Sequence, residues 1–278
     1  MKKATVGKIL FIGFISTVIR ILFQLMIPSY KQEVLAPSIF VQKGIMPFAF
    51  SVYTFLSYSI ITAMYLLVEN KIPGKKILKG LKYGCVYCLI WVVYLFEPLP
   101  HSEGAGFINI IAYPLADGIA LIALGLLIGI LLAKDSDKPE VKQNVYMNKA
   151  GFSFMCIFAC FVTGRVFLYT FMDIYSSINT HFFGTILWVI ITGVTVSAAL
   201  IWLGQFIVDR SKVIRAVLVG CVLFGVNLIL FNFFIPLVFM SNISDLLIRT
   251  FVEILFVAVG MFFLPDRMTL IISDKNSI

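Results

Sequence analysis

The sequence predicts an all-α polytopic membrane protein: eight transmembrane helices arranged as two parallel four-helix repeats, with both termini on the cytoplasmic side. Three observations predict it. The chain of 278 residues is 60% hydrophobic and 13% charged, with a mean hydropathy of +1.01, whereas soluble domains carry about 25% charged residues. Its apolar stretches reach the ~20 residues that a helix needs to cross a hydrocarbon core of about 30 Å. Finally, these stretches fall into two sets of four, and one arginine, Arg20 then Arg165, recurs at the matching place in each set. In hydrocarbon the backbone must satisfy its own hydrogen bonds, which leaves helices or closed barrels. The stretches lack the period-2 alternation of a barrel strand, so helices are selected.

The predicted spans are 9 to 28, 46 to 68, 79 to 97, 112 to 133, 150 to 172, 182 to 207, 214 to 238 and 246 to 264. The N-terminus looks superficially like a signal peptide, because Lys2 and Lys3 precede an apolar run. That run carries Arg20 and is followed by no small-residue cleavage pattern, so it is expected to remain as the first helix. Glu97-Pro98-Leu99-Pro100 ends the third span, since the residue before a proline avoids the helical region. The segments 69 to 78, 134 to 149 and 208 to 213 are rich in charge, and 98 to 111, 173 to 181 and 239 to 245 are not.

This alternation orients the chain, because Lys and Arg in short loops stay on the cytoplasmic side. Lys2, Lys3, Lys8, Lys71, Lys75, Lys76, Lys79, Lys82, Lys134, Lys138, Lys142, Lys149, Arg210, Lys212, Arg215, Arg267 and Lys275, seventeen of the 22 basic residues, fall on one side. Only Lys31 and Lys43 fall in a loop on the other. The net charge of +8 is therefore an orientation signal, and nucleic acid is not an expected partner. The expected location is the plasma (cytoplasmic) membrane, with the lipid bilayer as the surrounding partner. All five cysteines, Cys85, Cys88, Cys156, Cys160 and Cys221, lie on the cytoplasmic half of this topology and read as small apolar packing residues.

Self-similarity divides the chain into a first repeat at 1–133, a charged linker at 134–149 containing Pro139, and a second repeat at 150–278. At an offset of 145, Ile12, Arg20 and Tyr30 fall on Ile157, Arg165 and Tyr175. At an offset of 136, Gly84-Cys85-Val86 falls on Gly220-Cys221-Val222, Gly80 on Ala216, and Asp117 on Glu253. An even number of spans per repeat makes both enter the membrane from the same side, so the repeats are expected to be parallel and related by a pseudo-twofold along the membrane normal.

The candidate binding residues are Arg20, Arg165, Asp117 and Glu253. A charge deep in a span costs at least ~2.5 kcal/mol, so it is normally paired, drawn to the interface or put to use. Both arginines lie about seven residues, or roughly 10 Å, from the outer ends of their spans. The two acids start spans that run inward from the outer side, which puts all four groups in one layer. Arginine and carboxylate at one depth relieve each other's desolvation. Such pairs suit a polar, outward-facing cavity that receives an anion, and they equally suit two structural salt bridges. Other polar residues assigned to the outer face are Glu97, His101, Glu103, Asp173, His181, Asp245 and Arg249. The two histidines stand in no metal-ligand spacing, and no nucleophile with its base and no phosphate-binding loop is evident, so no metal, cofactor or catalytic residue is assigned. Gly125 and Gly129 form a GxxxG, continued by Ala133, that is expected to pack within the bundle.

The expectation is an integral membrane protein that transports or binds a small anionic or amphiphilic molecule in a polar cavity between the repeats. A non-catalytic membrane subunit, such as an immunity, sensor or assembly factor, is the second reading, and an intramembrane lipid-modifying enzyme the third.

Overall fold

A computed structural model describes residues 3–27, 35–97, 107–135, 147–172, 176–207 and 211–264. Among them the elements are α1 Lys3–Met26, the short α2 Ile39–Gln42, α3 Met46–Tyr65, α4 Lys76–Leu95, α5 Phe107–Leu131, α6 Met147–Phe171, α7 Phe182–Gly204, α8 Lys212–Arg215, α9 Asn227–Asn232, α10 Ile235–Val238 and α11 Ile243–Phe262. Between α8 and α9 the helix continues as a π-helical stretch, Ala216–Val226. Among the described residues seven helices are long and apolar enough to cross a membrane, the arrangement of a multi-pass membrane protein. The eighth predicted span corresponds to α11, which is 20 residues long but carries Asp245, Arg249 and Glu253, and is not among the seven.

The packing is that of a bundle in lipid. Phe11, Phe14, Leu22, Phe48, Leu89, Leu187 and Phe251 are exposed on the outside, while the buried stripe of α1 is Ile9, Ile12, Gly13, Ser16, Thr17 and Arg20. Lipid is as apolar as leucine, so helices associate through close backbone approach and interhelical hydrogen bonds. The closest approach joins α4 to α5. A Cβ on Gly84 would stand 2.7 Å from the Gly125 Cα, and one on Gly129 would stand 2.7 Å from the Ile77 Cα. The GxxxG of α5 is therefore spent inside the bundle. The opposite face of α4 carries Tyr83, Tyr87, Ile90, Trp91 and Tyr94, all buried. Tyr83 bonds back to the Ile61 carbonyl of α3 at 2.8 Å, while Tyr87, Trp91 and Tyr94 reach the second half.

Helix pairing is alike in the two halves. In the first, α1 packs on α3 and α5, and α4 packs on α5; in the second, α6 packs on α7 and α11, and the π stretch packs on α11. The C-terminal carbonyls of α5 and α11, which have no intrahelical partner, are met in the same way. Lys8 Nζ donates to the Leu131 carbonyl at 2.7 Å and Lys79 Nζ to the Lys134 carbonyl at 3.0 Å. At α11, Ser153 Oγ donates to the Phe263 carbonyl at 3.2 Å and Arg215 donates to the Leu264 carbonyl. Lys8 and Ser153 are 145 residues apart, and Lys79 and Arg215 are 136 apart.

Between the halves, Tyr87 Oη donates to the Leu223 carbonyl at 3.2 Å and Trp91 Nε1 to Asn227 Oδ1 at 2.7 Å. Both pairs are separated by 136 residues, so α4 and residues 223–227 run in the same direction. Two further bonds are reciprocal. Tyr53 of α3 donates to the Leu230 carbonyl at 3.0 Å, and Trp188 of α7 donates to the Val93 carbonyl at 2.7 Å.

Candidate functional site

Arg20 lies on the buried stripe of α1, and Asp117 lies on α5 three residues after Pro114, which stands inside that helix. The two side chains meet as a bidentate pair. Arg20 Nε donates to Asp117 Oδ1, and Nη2 donates to Oδ2 at 3.3 Å. A second donor, Nη1, reaches Gln24 Oε1 one turn along α1 at 2.7 Å, and the guanidinium lies 5.4 Å from the centre of the Phe50 ring. Fork-to-fork pairing directs both carboxylate oxygens at one guanidinium and leaves the pair neutral as a unit. It is self-contained.

Arg165 on α6 and Glu253 on α11 also meet, with Nη2 2.8 Å from Oε2, but here the pair belongs to a larger network. Tyr94 donates to Glu253 Oε1. Arg249, one turn before Glu253 on α11, pairs with Glu97 Oε2. Glu97 Oε1 faces Arg165 Nη1 at 3.9 Å and accepts from Tyr169 Oη at 3.4 Å, while Arg165 Nη1 donates to Tyr169 Oη at 3.3 Å. Aromatic rings line the Arg165 guanidinium, with Trp188 at 4.9 Å, Tyr94 at 5.4 Å and Phe161 at 5.8 Å. Two arginines and two glutamates thus balance in charge.

Burial grades this network from inside to outside. The side chains of Arg165 and Glu253 are 0% and 1% exposed, that of Arg249 8%, and that of Glu97 13%. Glu97 follows the C-cap of α4 at Phe96, so it is carried by the chain beyond the helix. Burial opposes ionisation of Glu97, but Arg249 and Arg165 outweigh it and hold the carboxyl below the usual carboxylate range. The Nε donors of Arg165 and Arg249 are buried without an acceptor among the described residues.

All four sequence-selected residues are therefore buried and paired within their own halves: Arg20 with Asp117, and Arg165 with Glu253. No hydrogen bond or ion pair among the described residues joins one pair to the other. Sequence reasoning placed Glu97 and Arg249 on the outer face without pairing them, and did not single out Tyr94. A signal was present, because Arg249 and Glu253 stand four apart on α11, and Tyr94 and Glu97 stand three apart at the end of α4. His181 is half-buried and contacts Thr180, whereas His101, Glu103 and Asp173 lie outside the described residues. Among the described residues no three side chains of His, Cys, Asp or Glu converge for a metal.

Two open apolar grooves lie elsewhere. One of about 380 Å³ sits between α4 and α5, lined by residues including Cys88, Val92, Pro114 and Gly118. The other, about 320 Å³, lies between α6 and α11 and is lined by residues including Cys160, Thr163 and Phe256. No protein-family model, curated protein or solved structure matches this chain.

Proposed function

We propose that the protein is a duplicated bundle in the plasma membrane that binds or carries a small anionic or amphiphilic molecule, with the Arg165 network as its working centre. On this reading α11 is the eighth span, both termini are cytoplasmic, and Arg20 with Asp117 is the structural counterpart in the first half. The positive residues gathered on one side support the orientation. The duplication is supported by the 136-residue contacts between α4 and its partner helix and by the matching pattern of helix pairing.

One observation carries the ligand reading. A structural ion pair needs both members on rigid helices, as Arg20 and Asp117 are. In the second half two arginines instead share Glu97, which stands past the end of its helix and is the most exposed member of the network. That arrangement is suited to exchange.

The non-catalytic subunit is a second reading with its own support, because each arginine and carboxylate of the two centres has a partner and the apolar grooves lie away from them. Arg165→Lys separates the two, since it retains charge and loses the planar fork. Wild type and variant are reconstituted in lipid vesicles and assayed for uptake of phosphate, lactate and decanoate. The ligand reading expects wild type to take up at least one probe and the variant to lose uptake at normal vesicle content. Absence of uptake in wild type, together with a variant that merely fails to accumulate, favours the structural subunit.

A further inference from the structure

We propose that Glu97 occupies the seat of a carboxylate ligand, and that the space it vacates between Arg165 and Arg249 receives a molecule bearing one free carboxylate. The inference rests on the ligand reading above and names the ligand's charged group.

The geometry of the resident group defines the class. Each oxygen of Glu97 faces a different guanidinium, Oε1 toward Arg165 at 3.9 Å and Oε2 on Arg249, with Tyr169 Oη a third contact at 3.4 Å. A planar group with two oxygens and one negative charge satisfies this set, because that is the group already there. Charge balance gives the same result. Two arginines and two glutamates sum to zero, so an anion added beside Glu97 would bury an excess negative charge, which is costly where water is excluded. An anion that replaces Glu97 leaves the sum unchanged. A phosphate carrying two negative charges would not.

The resident side chain is the least enclosed of the four. Glu97 is on the chain past the α4 cap, next to Pro98, and is already the most exposed of the four charges. The site also holds unspent capacity, since the Nε donors of Arg165 and Arg249 are buried without acceptors among the described residues. A free carboxylate, not tethered to α4, can approach these donors at angles that Glu97 cannot reach.

Glu97→Ala tests this directly, because removing the resident carboxylate exposes its seat. The full-length variant is purified in detergent, and its thermal unfolding is followed with sodium acetate, propionate, chloride and phosphate at equal ionic strength. The variant is expected to melt below wild type, and acetate and propionate are expected to raise its Tm progressively with concentration, as ligand linkage requires. Chloride and phosphate leave it unchanged, and wild type responds less because Glu97 competes. Equal stabilisation by all four salts, stronger stabilisation by phosphate, or no response to carboxylates overturns the assignment. Glu97→Gln, which keeps volume without charge, repeats the measurement in native membranes if the alanine variant does not accumulate. Failure of both variants to accumulate also overturns it, because a group that leaves during the working cycle cannot be indispensable to the fold. Rescue of the variant by acetate, with no uptake by wild type, leaves the seat standing and removes the transport reading.

Discussion

The charged centres of the two halves start from the same plan and end differently. Each has an arginine on its first helix and an acid on its fourth, and in each the arginine touches the residue one turn on, Gln24 in the first half and Tyr169 in the second. The difference lies in what surrounds them. Under the proposed duplication the positions equivalent to Arg249, Tyr94 and Glu97 are Tyr113, Leu230 and Phe233, and among the described residues the Arg20 centre shows no second ion pair and no carboxylate arriving from outside the helices. One centre is a closed pair of neighbours on rigid helices; the other is a balanced group of four charges, one of which the end of α4 lends to the opposite half. Neutrality alone therefore does not distinguish a fastener from a site, whereas the mounting of each charge does.

The largest expected difference comes from removing each arginine. Arg165→Met leaves Glu253 buried without its guanidinium, a loss of about 3–5 kcal/mol for a broken buried pair, while Glu97 keeps Arg249. Arg20→Met should cost less, because the Asp117 side chain is 11% exposed and can draw water. Thermal unfolding in detergent compares the two, and an equal loss would remove the distinction between the centres.

Next comes Glu97→Gln, which forfeits a charge-assisted contact of roughly 1.5–3 kcal/mol. Because the folded protein holds the Glu97 carboxyl below its usual range, this stabilisation is complete above the ordinary carboxylate range and is lost as the pH falls through the depressed value. The wild-type advantage over the variant should accordingly shrink on acidification. A constant gap between pH 7 and pH 3 would contradict it.

Helix contacts should respond alike in both halves. Gly84→Val and Gly220→Val each drive a side chain into a facing backbone, since the new Cβ would stand 2.7 Å from the Cα of Gly125 in the first case and of Ala258 in the second. Overpacking of this kind costs about 1–3 kcal/mol, and lowered yield of well-folded protein on size exclusion reads it out. The smallest effects belong to the reciprocal bonds. Tyr53→Phe and Trp188→Phe each remove one interhelical donor, and the bond lost is worth about 0.6 kcal/mol in a membrane. Trp188→Phe should exceed Tyr53→Phe, because Trp188 also stacks on Arg165.

Much of the fold could be read in advance. Span ends agree with the helices to within about six residues, since hydropathy reports directly on the number of apolar residues that must be covered by lipid. The matched arginines and acids were visible because buried charge is conspicuous in apolar sequence. Glu97 was not visible as part of a site. Beside Pro98 it reads as the end of a helix, and its partners on α6 and α11 lie far away along the chain. The π stretch at Ala216–Val226 has no mark of its own, because its sequence is as apolar as an ordinary span.

The contact of Trp91 with Asn227 carries a historical implication under the proposed duplication. Residues lying on a twofold axis meet their own copies, so a dimer of identical four-helix chains would set tryptophan against tryptophan or asparagine against asparagine. Two indole N–H groups cannot satisfy one another, and the pairing seen requires a donor on one side and an acceptor on the other. Fusion of the copies into one gene would free each side of that seam to diverge. The same freedom would have let one half specialise its charged centre while the other kept the ancestral arrangement.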